Sequence, residues 1–444
     1  QFFGLDAARK AVGFRTNRVS QTDDLNAPRD LLVSNFNNWG VETRFLHRYR
    51  LLGKNAIFLV GNKWYSSNNS AIQGAGTAAA DADFSLANDQ FPAYPNQSSF
   101  IFPNRNLALF AEHIFYLNDQ LSFTPGVRLE HIKTESEGTY RRIDTDLAGN
   151  PIRDTSFEDN RSIPRQRILL GLGTSYKPSD NTEWYINVSQ NYRSVTFNDI
   201  RVINPSFQVD PDIRDESGWT ADIGWRGRLK RLNYDLGGFV LQYNDRLGEV
   251  LRAERRPNAT GSIVETGRVV RFRGNIGNAR IYGLETLLDY SLIAPAIETS
   301  RPLSLNIFTN VALTHSQYID SEIAGVTSNQ VEFIPLLNLK TGFSLGYDNF
   351  KASGQYTYLS RQFTDASNAP QDINDNQSGI VGVIPAYGIM DLSLSYEWRF
   401  LRLETGINNV LNESYFTRRA TGYPGPGIIP SAPRTAYVTL QLQL

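Results

Sequence analysis

A chain of 444 residues with no cysteine and a formal charge of −1 excludes a disulfide framework, a thiolate nucleophile and a Cys-ligated zinc or iron–sulfur centre, and it has no global field to gather nucleic acid. No stretch approaches the ~18 consecutive apolar residues of a transmembrane helix. The average polarity looks water-soluble, but a membrane barrel with a wet lumen averages out the same way, because half of each strand faces water.

The chain opens on Gln1-Phe2-Phe3-Gly4, without the basic and apolar segments of a secretion signal, and the expectation is that residues precede it. From there, roughly sixteen extended segments follow one another: 9–20, 32–51, 56–66, 105–117, 121–143, 165–177, 182–193, 216–229, 232–252, 271–292, 302–319, 330–347, 350–363, 386–397, 400–417 and 433–444. In 182–193, Trp184, Ile186, Val188 and Tyr192 alternate with Glu183, Asn187, Ser189, Asn191 and Arg193. In 219–230, Trp219, Ala221, Ile223, Trp225 and Leu229 alternate with Thr220, Asp222, Arg226, Arg228 and Lys230. The segments 303–314, 337–348 and 435–444 repeat the pattern, giving each strand one face suited to hydrocarbon and one suited to water. Such runs are about twice the length of an ordinary soluble strand.

The connections alternate in length. Brief turns stand at Gly53-Lys54-Asn55, Asn118-Asp119-Gln120, Pro178-Ser179-Asp180-Asn181, Lys230-Arg231, Asp348-Asn349 and Trp398-Arg399, while the opposite strand ends are joined by long polar stretches at 66–104, 144–162, 194–214 and 364–384. A soluble sandwich has no reason to sort its loops by length, whereas a barrel threaded through an outer membrane has short periplasmic turns and long outer loops. Trp39, Trp64, Tyr65, Trp184, Tyr192, Trp219, Tyr347, Tyr396 and Trp398 cluster near strand ends, where aromatic girdles would sit. The fold class read from the chain is therefore all-β, a transmembrane antiparallel β-barrel. Gly171-Leu172-Gly173 lies within a strand with no helix after it, so it reads as lumen wall and not as a phosphate cradle.

Several stretches resemble the barrel of a TonB-dependent outer-membrane receptor. Asn275-Ile276-Gly277-Asn278-Ala279 with Gly283-Leu284-Glu285 is similar to that family's strand signature, Leu109-Phe110-Ala111-Glu112 leading to Pro125-Gly126-Val127-Arg128-Leu129-Glu130 resembles its paired hairpin, and Gly406-Ile407-Asn408-Asn409-Val410-Leu411-Asn412 with Tyr415 resembles its C-terminal motif. Asp245-Arg246-Leu247-Gly248-Glu249-Val250 and the run from Tyr415 through Gly427 place the resemblance nearest the ferric dicitrate receptors of Bacteroidetes-like bacteria. The resemblance implies a barrel of about twenty-two strands around an N-terminal plug. Neither plug nor TonB box is seen here and Leu444 stands where an aromatic is usual, so residues 1–444 read as the barrel of a longer receptor lacking its leading strands.

The resemblance also implies an active importer, not an enzyme, that takes a ferric chelate (ferric dicitrate or a related siderophore) across the outer membrane. The TonB-ExbB-ExbD complex would drive it through the absent N-terminal region, a surface lipoprotein is a further candidate partner, and no resident cofactor is expected. An anionic chelate calls for Arg, whose planar fork grips carboxylates bidentately. Arg193 and Arg361 end the wet faces of upward strands, and Arg201, Arg418 and Arg419 lie in outer loops near these rims, so these five are the expected ligand-binding residues. For each, a solvated loop charge or a lumen salt bridge is the plainer alternative. Arg128, Glu130, Arg226 and Arg228 lie lower on inward faces, where they would hold a plug.

Other chemistry finds little support. His47, His113, His131 and His315 are scattered singly without metal-ligand spacing, and no serine sits in a Gly-x-Ser-x-Gly elbow. Two rival readings are a passive sixteen-stranded porin and a receptor of the same architecture for haem, cobalamin or a glycan. Tyr94, Phe100 and Phe102 could give a glycan importer its aromatic platform, or could simply pack the 66–104 loop against its neighbours.

Overall fold

The computed structural model describes residues 1–14, 24–78, 83–145, 151–196, 199, 207–257, 262–294, 302–370, 382–420 and 427–442. Among them are β1 (Phe2–Gly13), β2 (Asp30–Leu51), β3 (Lys54–Ala75), β4 (Ser98–Tyr116), β5 (Leu121–Thr145), β6 (Pro151–Glu158), β7 (Arg161–Ser179), β8 (Thr182–Arg193), β9 (Phe207–Val209) and β10 (Glu216–Leu229). There follow β11 (Leu232–Pro257), β12 (Ile263–Ile293), β13 (Leu303–Asp320), β14 (Leu337–Tyr347), β15 (Phe350–Leu359), β16 (Tyr387–Trp398), β17 (Leu401–Asn408), β18 (Phe416–Ala420), β19 (Gly427–Pro430) and β20 (Thr435–Leu442).

Sixteen of these form one antiparallel ladder in chain order, β1 to β5, then β7, β8, β10 to β17 and β20. The four remaining strands lie at the long-loop end: β6 extends the outer part of β5, β9 runs parallel to the start of β12, and β18 and β19 form a separate hairpin. No register pairs β1 with β20 among the described residues, so each has one ladder neighbour. The tight turn between β2 and β3 places both Leu52 (φ 51°) and Gly53 (φ 79°) in the left-handed region, the geometry that matches strand twist in a two-residue hairpin.

The two faces have opposite chemistry. Ile168, Leu170 and Leu172 of β7, Trp184, Ile186 and Val188 of β8, and Val438, Leu440 and Leu442 of β20 are exposed on one face, an arrangement that costs free energy in water and none in lipid. On the other face, Asn187 donates to Asp222 (2.9 Å), Ser175 to Glu183 (2.6 Å) and Arg226 to Glu183 (3.0 Å). A tilted strand climbs ~2.5 Å per residue, so about ten residues cross an apolar band ~25 Å tall. β15, with 10 residues, and β14, with 11, do little more than cross, whereas β5, β11 and β12, with 25, 26 and 31, project far beyond.

Those projections carry their own core. On β11 and β12, Val250 and Phe272 pack with Ile276, Tyr318, Val326, Val331 and Ala366, bringing residues 321–336 and 364–368 down onto the sheet. The Tyr318 hydroxyl donates to Glu332 at 2.8 Å, and Arg246 reaches the same carboxylate at 3.3 Å.

Several expectations shift. The segment read as starting at 330 becomes strand only at Leu337, because Gln330 and Asn368 tie the preceding residues to a neighbouring loop (2.8 Å for each of their two hydrogen bonds) and Phe333 adopts φ 60°. The segments ending at 363 and 417 stop as strands at Leu359 and Asn408, and the first strand runs from Phe2, not Arg9. Strands β3 and β4 extend well into what read as the 66–104 loop. There Phe100 and Phe102 are buried against Ala71 and Tyr140, and the Tyr94 hydroxyl donates to Asp30 at 2.7 Å, so these three aromatics pack the loop and present no open platform.

Candidate functional site

The ladder between β7 and β8 runs from Ser179–Thr182 to Gly171–Ser189 and stops. Above it β7 stays paired with β5 up to Arg161 and β8 with β10 up to Arg193, so the two strands part and side chains close the gap. Arg165 and Arg167 share a face of β7, being two residues apart, and both reach Asp215, at 2.7 and 3.2 Å. Asp215 also accepts the Val195 N–H at 2.9 Å while Arg165 donates to the Val195 carbonyl at 2.7 Å, so both backbone groups of Val195 are held. Tyr192 spans the same opening: its hydroxyl donates to Glu130 and the Arg167 guanidinium lies 5.9 Å from its ring centroid. It therefore lines the rim and does not belong to the lipid girdle.

Four residues past Val195, the Asp199 carboxylate is fully buried. It accepts Arg193 Nη2 at 2.8 Å, Arg273 Nε at 3.1 Å, and the Thr196 N–H and hydroxyl at 2.9 and 2.8 Å. Burial alone would raise the Asp199 pKa, but the Thr196 N–H and the charges of Arg273 and Arg193 outweigh it and hold the carboxyl below its ordinary value. Arg273 continues to Glu249 at 2.8 Å, and Arg271, on the same face of β12, meets the other oxygen of that carboxylate at 2.8 Å. The opposite face of this stretch carries Val250 and Phe272, and the Arg252 guanidinium carbon lies over the Phe272 ring, 3.3 Å from its centroid. Burial and the nearby Arg255 push the Arg252 pKa down, against Asp210.

Five guanidinium groups (Arg165, Arg167, Arg193, Arg271 and Arg273) thus share three carboxylates (Asp199, Asp215 and Glu249) among the described residues. The network spans β7, the end of β8, the connection from β8 to β10, and β11 and β12, all at the long-loop end. Chemically it is an anion-receptive wall: its forks are preorganised, and Arg193 and Arg167 keep 43% and 35% of their side chains accessible.

Of the sequence-predicted residues, Arg193 lies in this network. Arg361 follows β15, exposed, with its guanidinium 5.7 Å from the Phe363 ring centroid. Arg419 of β18 donates to the Val383 carbonyl at 2.9 Å, next to the Gln362–Ile384 bridge, so Arg361 and Arg419 gather at a second loop junction. Arg418 is exposed on β18, and Arg201 lies outside the described residues. Five ladder strands separate β8 from β15, so the structure forms two groups and not one. Arg165, Arg167, Arg271 and Arg273 were missed. Their signal was present as Arg165-Gln166-Arg167 and Arg271-Phe272-Arg273 at the outer beginnings of strands, a spacing that sets two guanidiniums on one face.

Comparison with known proteins bears on this arrangement. A family model described as TonB dependent receptor-like, beta-barrel, matches residues 3–410. No curated protein matches the sequence. Among solved structures, the ferric yersiniabactin uptake receptor FyuA of Yersinia pestis is similar with TM-score 0.66 at 15% identity, over 93% of this chain and 55% of its own. The ferric citrate transporter FecA, in its unliganded form, gives 0.67 at 18%, over 99% and 58%. The copper transporter OprC gives 0.68 at 16%, over 99% and 62%. At such identities the likeness is one of fold, and the chain spans between 55% and 62% of these three relatives.

Proposed function

Because the chain belongs to the TonB-dependent receptor β-barrel family, we propose that residues 1–444 form barrel wall of an outer-membrane active transporter for an anionic ferric chelate, ferric dicitrate or a related siderophore. The observation that carries this reading is that, among the described residues, five guanidiniums converge on three carboxylates at the long-loop mouth with Arg193 and Arg167 still accessible. A citrate-type ligand presents several carboxylates around one metal ion, and forks already fixed by Asp199, Asp215 and Glu249 lose little freedom in gripping them. The cargo's iron is held by the chelator, so the wall needs charge and shape and no ligating His. The Arg361–Arg419 junction, with the exposed Arg418 beside Arg419 on β18, is a second contact region in this proposal.

Release would be driven by TonB-ExbB-ExbD acting through a region outside the chain. Among the described residues β1 pairs with β2 and β20 with β17, and no register joins β1 to β20, which disfavours a closed sixteen-stranded porin. The motif resemblance supports the ferric dicitrate subtype of Bacteroidetes-like bacteria, while the structural relatives named above are receptors or transporters for ferric yersiniabactin, ferric citrate and copper, so cargo is decided by binding.

Equilibrium binding of ferric citrate to the purified protein tests the reading. Each of Arg193→Ala and Arg361→Ala is expected to weaken affinity about tenfold, the loss of one hydrogen bond to a charged group. Arg193→Lys should fall between Ala and wild type, since it restores charge without the fork. Unaltered affinity in the double Ala variant would remove these residues from the site. Preference for haem, cobalamin or an oligosaccharide over ferric citrate would overturn the cargo.

A further inference from the structure

On β4 and β5 the lipid-facing side chains can be followed level by level. Leu107, Leu109, Ala111, His113 and Phe115 descend the outer face of β4, and opposite them His131, Leu129 and Val127 descend β5. The eight steps along β4 from Leu107 to Phe115 climb ~20 Å, close to the height of the apolar band. The next position up on β4 is Arg105, and its cross-strand partner on the same face is Lys133. Trp64 pairs with Leu107 one level down, Trp39 lies two strands away through Ser66, and the Trp39 and Trp64 rings meet edge to face at 4.1 Å. Two tryptophans at this height mark the outer hydrocarbon–headgroup boundary.

Like charges directly opposite on one sheet face destabilise a pair of strands. Lys133 is relieved by Glu135 at 2.6 Å, whereas Arg105 is exposed and has no hydrogen-bond or ion-pair partner among the described residues. An unpaired guanidinium facing outward at headgroup height, with a second cation beside it and an apolar wall below, is complementary to one occupant: an amphiphile with an anionic head and acyl chains. We propose that Arg105 and Lys133 form a site on the outside of the barrel for an outer-leaflet lipid whose headgroup carries phosphate. Arg105 forks two phosphate oxygens, Lys133 adds a point charge, and the acyl chains lie along Leu107, Leu109, Leu129 and Ile168. The site faces away from the lumen and does not depend on what cargo is imported.

The test is native mass spectrometry of the protein in mixed micelles with diphosphorylated lipid A, with its dephosphorylated counterpart as the second probe. Wild type is expected to retain the phosphorylated lipid and not the other. Arg105→Ala should lower its occupancy about tenfold and Arg105→Lys less. Lys133→Ala provides an independent variant, and unchanged heat-modifiable migration on gels verifies that each variant keeps its fold. Equal retention of both lipids, wild-type occupancy in both Ala variants, or displacement by inorganic phosphate alone would each overturn the proposal.

Discussion

Asp199→Ala is the most informative single change, because one carboxylate holds two arginines and a backbone turn. The substitution removes the acceptor of the Thr196 N–H (2.9 Å) and hydroxyl (2.8 Å) and of Arg193 (2.8 Å) and Arg273 (3.1 Å). Arg193 is 43% accessible and rehydrates, and Arg273 keeps Glu249, so neither is left as an isolated buried charge. The cost therefore falls below the ~3–5 kcal/mol of breaking a fully buried pair and comes to about 2–3 kcal/mol, mostly from the Thr196 bonds and the weakened Arg273 contact. It should appear as local opening, because this network lies above the membrane-crossing ladder. Hydrogen exchange read by mass spectrometry at 195–196 should speed up about 30-fold or more, at tenfold per ~1.4 kcal/mol. Exchange in β14–β16 should not change. Asp199→Asn retains an acceptor for Thr196 and should give a smaller effect. Unchanged protection at 195–196, or loss spread evenly into β14–β16, would refute the idea that this carboxylate organises the mouth.

The pH response follows from the same group. The Asp199 pKa is held below its ordinary 3.8, so its contribution is fully present above that value and is lost as pH falls through the lower, folded-state pKa. Protection at 195–196, corrected for intrinsic exchange, should stay level from neutral pH to about pH 5 and decline only below about pH 4; loss centred near neutrality would implicate a different group. In the membrane-crossing ladder, Gly283→Ala would set a Cβ 2.3 Å from the Leu313 carbonyl oxygen, which is backbone and cannot swing aside, whereas Gly171→Ala meets nothing nearer than Ser189 Cβ at 3.8 Å. The first should cost about 1–3 kcal/mol and the second much less, read as the shift in urea midpoint in detergent; equal shifts would contradict the packing described.

The parts of this fold that were legible in sequence are those where the surroundings differ on the two sides. Trp184, Ile186 and Val188 alternate with Glu183, Asn187 and Ser189 because hydrocarbon lies on one side and water on the other, and this constraint acts on only about ten residues of each strand. Above that height the constraint lapses. Asn68, Asn69, Ser70 and Gln73 continue β3 without apolar alternation, so that stretch reads as loop although its ladder with β4 is unbroken. Residues 330–336 err the other way: their hydrophobes suggest a strand, but Val331 is drawn into the cluster under Tyr318 while side-chain bonds from Gln330 and Asn368 replace a ladder. The site lies wholly in this zone. Arg193 could be named from its position on a wet face, but the groups that fix it, Asp199 and Arg273, come from a loop and from a strand 80 residues further on, and no local period encodes their meeting. Partner choice there is set by the parting of β7 from β8 above Ser189, which frees Arg165 and Arg167 to turn to Asp215. The bilayer thus writes its pattern into the segment that crosses it and leaves unmarked the segment that carries the arginine network, so the mouth must be read from geometry even when the wall beneath it can be read from the chain.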